Sequence, residues 1–127
     1  MLQLSLKSGV PICDQIVNGV IRLKALGVKQ GGEQLPSVRT LAIKLSVNPN
    51  TVQKAYMILE GRGIIYSVKG KGSFISDDNE AQAAVLKNAQ EDFEKAVKNA
   101  KDLGLSFETL QEIIKQNYNI TGGEKDD

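Results

Sequence analysis

The sequence has no histidine, no tryptophan, a single cysteine and only three prolines. Without histidine and with one cysteine, the usual donor sets for zinc are missing, and so are His-activated serine or cysteine nucleophiles. Cys13 cannot close an intramolecular disulfide, and with Ile12 and Ile16 nearby it reads as a small core residue. No apolar run approaches the roughly eighteen residues of a membrane span. The opening MLQLSLKSGVPICDQ also lacks the apolar core of a secretory leader. The expectation is a cytoplasmic protein with no membrane partner, no cofactor, no metal and no catalytic residues. Glu91 with Lys95 and Glu94 with Lys98 read as i,i+4 couples on an exposed helix face, and KGKGS lacks the spacing of a phosphate-binding P-loop.

What the chain does have is charge, unequally divided. Its 127 residues carry a formal net charge of +1. Residues 1–76 hold ten Lys and Arg against three Asp and Glu, or +7, whereas residues 77–127 hold six against twelve, or −6. A basic part favours an anionic partner, and an acidic part is better placed away from it. The division suggests a DNA-binding domain over 1–76 and a second domain over 77–127.

The pattern of apolar residues supplies the elements. Pro11 opens a helix whose stripe is Ile12, Ile16, Val20, Leu23 and Leu26, with Gly27 as the stop. VKQGGEQL has adjacent glycines and no period, and reads as a loop. Ser37 caps a short second helix with Val38, Leu41, Ala42 and Leu45 on one face. Asn48 then caps a third helix that begins at Pro49, where a missing N–H costs nothing. The intervening Ser46, Val47 and Asn48 have the length of the turn in a helix-turn-helix. Burying Val52, Ala55, Tyr56 and Leu59 leaves Asn50, Thr51, Gln53 and Lys54 outward near the helix N-terminus, where backbone dipoles also favour phosphate. Amides, a hydroxyl and an ammonium suit base edges and phosphates. GRG ends this helix, and the β-prone runs IIYSV and SFIS flank KGKG, which reads as a hairpin with a basic, glycine-rich tip. Glycine lets such a tip lie close to a sugar-phosphate surface while Lys69 and Lys71 add charge.

From PICDQIVNGVI through LPSVRTLAIKLSVNPNTVQKAYMILEGRGIIYSVKGKGSFIS, about residues 9 to 76, the chain resembles the winged helix-turn-helix of the GntR family of bacterial transcription regulators. The resemblance implies DNA contacts from Arg39, from Asn48, Asn50, Thr51 and Gln53 of the recognition helix, and from Lys69 and Gly70 in the minor groove. With Ser37, Lys54 and Lys71, these make the candidate DNA-binding set. Many relatives carry arginine where Pro49 and Gln53 stand, so their guanine-centred operators do not transfer. The wording NPNTVQKAY is similar to the short YtrA-type branch, in which a small helical tail replaces a large effector domain.

The tail agrees. From Glu80, the residues Leu86, Ala89, Phe93, Ala96, Ala100 and Leu103 recur in steps of three and four, the seam of a helix packed on another, until Gly104. Ser106 caps a shorter helix whose buried side is read as Phe107, Leu110, Ile113, Ile114 and Tyr118. Two helices make a thin core. The seam is therefore read as a homodimer interface, which a near-palindromic double-stranded operator requires; the other reading folds the tail back on its own winged domain. GGEKDD is expected to fray.

The expected fold is α+β and mostly helical, a winged helix-turn-helix followed by a two-helix tail. The expected function is a dimeric, sequence-specific repressor that occludes a promoter, and the resemblance implies a nearby transporter-type operon. Two alternatives stay open at this point: a winged-helix protein-interaction module without DNA binding, and a regulator that senses a small-molecule effector in a pocket between tails.

Overall fold

Side-chain caps and prolines decide where the helices begin. The computed structural model describes residues 2–119; the GGEKDD stretch lies outside them. Helix α1 (Ile12–Ala25) has Pro11 as its N-cap, one position earlier than the first-turn place expected for it, and buries Ile16, Val17, Val20, Ile21 and Leu23. Leu26 does not extend that stripe. It is the C-cap residue and is exposed, because the chain leaves the helical path at Gly27, whose φ of +74° suits a residue without Cβ.

Helix α2 (Val38–Leu45) starts where the Ser37 hydroxyl accepts the Thr40 N–H at 3.1 Å, and helix α3 (Pro49–Gly61) where the Asn48 side chain accepts the Asn50 N–H at 2.8 Å. Ser46, the C-cap of α2, opens the three-residue turn between them in the left-handed region at φ 57°, and the Val47 N–H bonds the Ala42 carbonyl at 3.0 Å. Helix α3 buries Val52, Ala55, Tyr56 and Leu59, the four expected residues. With Ile64 and Ile75 they join the α1 and α2 side chains in one core, against which Cys13 packs half-buried. Side chains as fully buried as Ile16, Leu59, Ile64 and Ile75 each contribute roughly 1.5–3 kcal/mol through burial.

Strands β1 (Ile65–Val68) and β2 (Gly72–Ile75) form an antiparallel hairpin with Ile65 opposite Ile75 and Val68 opposite Gly72. The VKQGGEQL loop is more than a connection. Gln34 bridges Phe74, the Leu35 N–H donates to the Ser73 carbonyl at 2.8 Å, and the Ile75 N–H donates to the Glu33 carbonyl at 2.9 Å. The loop thus covers the free edge of β2, which would otherwise offer unpaired backbone groups.

The chain divides into two compact units, one through Val85 and one from Leu86. The first therefore runs past the boundary at 76 expected from charge and composition. A hydrogen-bonded junction accounts for this: the Lys24 ammonium donates to the Ser76 hydroxyl at 3.1 Å and to the Asp78 carbonyl at 3.2 Å, and the Ser76 hydroxyl donates to the Gly63 carbonyl at 2.6 Å. The Asp78 carboxylate accepts the Ala81 N–H at 3.0 Å and so caps helix α4 (Asn79–Asp102), whose Ala81 and Val85 pack on the winged core.

In the second unit, α4 ends at the turn through Gly104, and Ser106 caps helix α5 (Phe107–Asn117) by accepting the Thr109 N–H at 3.1 Å. Neither α4 nor α5 holds a buried residue. The expected buried side of α5 is a correction: Phe107, Ile113, Ile114 and Tyr118 are exposed and Leu110 is half-buried, because two helices leave one apolar flank of each uncovered. Nor do Glu91–Lys95 and Glu94–Lys98 close to ion-pair distance; Glu94 accepts a hydrogen bond from Gln90 at 3.3 Å instead. No described helix is long and apolar enough to cross a membrane.

Candidate nucleic-acid interface

Three local devices bring the candidate residues to the surface of the winged unit: the Ser37 cap, the Asn48 cap and the tight turn of the hairpin. Of the ten candidates, Thr51 is half-buried and the other nine are exposed. Arg39 stands in the first turn of α2, two residues after the cap. On α3, the face opposite Val52, Ala55, Tyr56 and Leu59 carries Asn50, Gln53 and Lys54, in agreement with helical spacing. At the hairpin tip, the Lys71 N–H donates to the Val68 carbonyl at 2.9 Å, and Gly70 takes φ +79°, leaving Lys69 and Lys71 in solvent. Among the described residues the one ion pair is Lys29–Glu33 at 4.0 Å. The positive charges of Arg39, Lys54, Lys69 and Lys71 are therefore not cancelled by a neighbouring carboxylate and remain free for phosphate.

Capping also restricts what some candidates can do. The Ser37 hydroxyl accepts from the Thr40 N–H and donates to the Thr40 hydroxyl at 2.9 Å, so its hydrogen is already engaged. The Asn48 carbonyl oxygen is likewise occupied, which leaves its amide NH2 as the group able to donate outward. The start of α3 offers less backbone than expected. Pro49 has no N–H, the Asn50 N–H is held by the cap, and the Thr51 N–H bonds the Asn48 carbonyl at 2.9 Å. Recognition at this end of α3 falls on side chains, with the helix dipole as a background field.

Two supporting residues were not legible as functional in the sequence. Tyr56 lies on the buried face of α3, and its hydroxyl donates to the Pro36 carbonyl at 2.7 Å, tying the recognition helix to the residue just before the α2 cap. Burial pushes its phenol up from 10.0 to about 12. Gln34 donates its side-chain amide to the Lys71 carbonyl at 2.7 Å, from a loop with no periodic signal. Within the hairpin, Tyr66 stacks on its cross-strand partner Phe74 with ring centroids 5.6 Å apart, which stiffens the two strands.

This geometry presents a capped helix pair with polar and cationic side chains beside a basic, glycine-bearing tip, an arrangement fitted to a DNA groove and its phosphates. Residues 15–75 match the profile of bacterial regulatory proteins of the gntR family. Over its whole length the chain is 36% identical to the HTH-type transcriptional repressor YtrA of Bacillus subtilis strain 168, covering 100% of both proteins. Among solved structures it is similar to a transcriptional antiterminator from Listeria monocytogenes EGD-e, at a TM-score of 0.75 and 33% identity, covering 100% of this chain and 97% of that one. It is also similar to the DNA-binding domain of AraR in complex with an operator, at a TM-score of 0.52 and 25% identity, covering 60% of this chain and 93% of that one. A winged-helix module that never touches DNA is not what such relatives are, and neither is an enzyme. The chain belongs to the gntR family of bacterial regulatory proteins and is a DNA-binding transcription regulator.

Proposed function

We propose that this protein is a cytoplasmic, dimeric repressor that binds a near-palindromic operator and blocks the promoter beside it. Arg39, Asn50, Gln53 and Lys54 read and hold one half-site through α2 and α3, and Lys69, Gly70 and Lys71 lie in the adjacent minor groove. The observation that carries the reading is the row of exposed, unneutralised polar and cationic side chains on two capped helices and a basic tip. Repression is supported by the full-length likeness to a protein named a transcriptional repressor. The transporter-type operon is the target that the resemblance to the short branch of the family suggests.

The dimer reading is supported by the second unit. Phe93 and Ile114 are common to two apolar hollows, one of about 490 Å³ completed by Val97, Phe107 and Leu110 and one of about 330 Å³ by Ile113 and Tyr118. An apolar surface of this kind on two helices is what a second copy would cover. The larger hollow is also within the roughly 300–1,000 Å³ of small-molecule sites, which favours an effector as a second reading.

The test is to recover the fragments that the full chain selects from its own sheared genomic DNA and titrate binding against salt. A recurring near-palindrome beside a promoter, with log affinity falling by roughly 0.9 per phosphate contact as log salt rises, is the expected result. Selection of fragments without a repeated half-site would overturn the dimeric operator.

A further inference from the structure

Gln34 lies in the connection between α1 and α2, far in sequence from the wing, yet its side chain and its backbone both pair with the wing. Its side-chain N–H donates to the Lys71 carbonyl at 2.7 Å, and its backbone bridges Phe74. The residues around it continue the pairing: the Gly32 N–H donates to the Ile75 carbonyl at 2.8 Å and the Leu35 N–H to the Ser73 carbonyl at 2.8 Å. Gly72, at φ +126°, leaves the space in which this amide fits, since a Cβ there would come within 2.7 Å of the Gln34 nitrogen. On the other side of Gln34, Leu35 is buried in the core and the Pro36 carbonyl accepts the Tyr56 hydroxyl of α3 at 2.7 Å. One short segment, Gln34 to Pro36, is therefore bonded to the tip of the wing at one end and to the recognition helix at the other.

We propose that Gln34 is a positioning residue for DNA binding, which holds the wing tip in register with the recognition helix through its hydrogen bond to the Lys71 carbonyl. The physical reason is entropic. A two-stranded hairpin of four-residue strands is at best marginally ordered on its own, and its tip carries two lysines whose mutual repulsion favours motion. A bond from outside the hairpin to the carbonyl between those lysines and β2 restricts the tip before DNA arrives, so less ordering remains to be done on binding. The inference rests on the reading that the wing tip contacts DNA.

The experiment uses the full chain and two replacements of an exposed side chain, Gln34→Met, which keeps length without a donor, and Gln34→Asn, which keeps the amide but is one carbon too short to reach. The probe is a duplex fragment that the full chain selects from genomic DNA. Both variants should melt as the parent does, show increased backbone motion at Lys69–Lys71 by nitrogen relaxation in the free protein, and bind about three- to tenfold more weakly, the range of one lost hydrogen bond. Combined with Lys69→Ala and Lys71→Ala, Gln34→Met should add no further loss, because both changes act through the same tip. Additive losses would mean that Gln34 acts elsewhere and would overturn the proposal. So would a loss in the lysine variant with none in either Gln34 variant, an outcome that leaves the wing reading intact. No loss in the lysine variant would overturn the wing reading and the proposal together.

Discussion

The two units of this molecule are both built on capped helices, but they finish their cores differently. Every buried apolar residue described, from Ile16 to Ile75, belongs to the winged unit, whereas α4 and α5 have none and leave Leu86, Phe93, Leu103, Phe107 and Tyr118 more than half exposed. In the winged unit, three helices and a hairpin enclose a common interior. In the tail, neither helix buries a residue, and their apolar side chains line open hollows instead. A unit of the first kind holds its shape as a monomer, and a unit of the second kind is completed by whatever covers it. If the proposed function holds, that contrast divides the labour, the closed unit reading DNA and the open one providing the surface for a second copy.

The strongest way to break the contrast is to make the open surface unable to be covered. Phe93 is 53% exposed and borders both apolar hollows, so Phe93→Glu would place an unpaired charge at the centre of any interface formed there. The expected outcome is a monomer whose winged unit stays folded and which loses the effective concentration of a tethered second domain, a factor on the order of 10² or more in operator affinity. Sedimentation of parent and variant, with DNA titrations of both, decides it. A variant that still sediments as a dimer would place the interface away from Phe93.

Within the closed unit, Arg39 is the test of direct recognition. Arg39→Ala should weaken operator binding by about 1–3 kcal/mol with the melting temperature unchanged, since the side chain is exposed and outside the core. Equal affinity in the folded variant would remove Arg39 from the site. Replacing Lys69 and Lys71 by alanine should have a smaller and less selective effect. Operator and random duplexes should weaken alike, and the salt slope should flatten by about one to two. A loss confined to the operator would show that the tip reads bases as well as phosphates.

These tests fall on residues that differ in how plainly the sequence announced them. Pro49 after Asn48, and Ser37 before Val38, fixed two helix starts to the residue, because capping is a local interaction between neighbours. The buried set of α3 was legible for the same reason, as spacing alone selects Val52, Ala55, Tyr56 and Leu59. Gln34 was not, since its partners lie at Lys71 and Phe74 and no pattern within VKQGGEQL encodes a pairing so distant. The reach of the winged unit to Val85 was hidden likewise, for Lys24, Ser76 and Asp78 meet only once the chain has folded. In the tail, periodicity gave a seam for α4 and a face for α5, but it could not say how much of either would be covered, and Leu86, Phe93 and Leu103 stand exposed. Val97, absent from the expected seam, lines the hollow with Phe93 because it lies one helical turn further along the same side.

The smallest expected effect sharpens the comparison by touching the closed unit alone. Tyr56→Phe removes the hydroxyl that donates to the Pro36 carbonyl and leaves the ring in place, so the loss is that of one hydrogen bond, about 0.5–1.5 kcal/mol of stability. Its dependence on pH has a definite sign. The folded-state phenol is raised from 10.0 to about 12 by burial, so the folded protein holds this proton more tightly than the unfolded chain does. The associated stability is fully present below pH 10 and is lost as pH rises toward about 12. Subtracting Tyr56→Phe from the parent cancels the other tyrosines and the lysines, which titrate in both proteins. In urea unfolding of the full chain, the gap between parent and variant should therefore be widest near neutrality and narrow steadily above pH 10. A gap that stays constant through that range would mean that the Tyr56 hydroxyl is solvated and does not bind the recognition helix to Pro36. Assembly should not follow the same curve: if the tail closes by its own surface, sedimentation of the variant at neutral pH should match the parent, and a loss of dimer would show that the closed unit contributes to the interface as well.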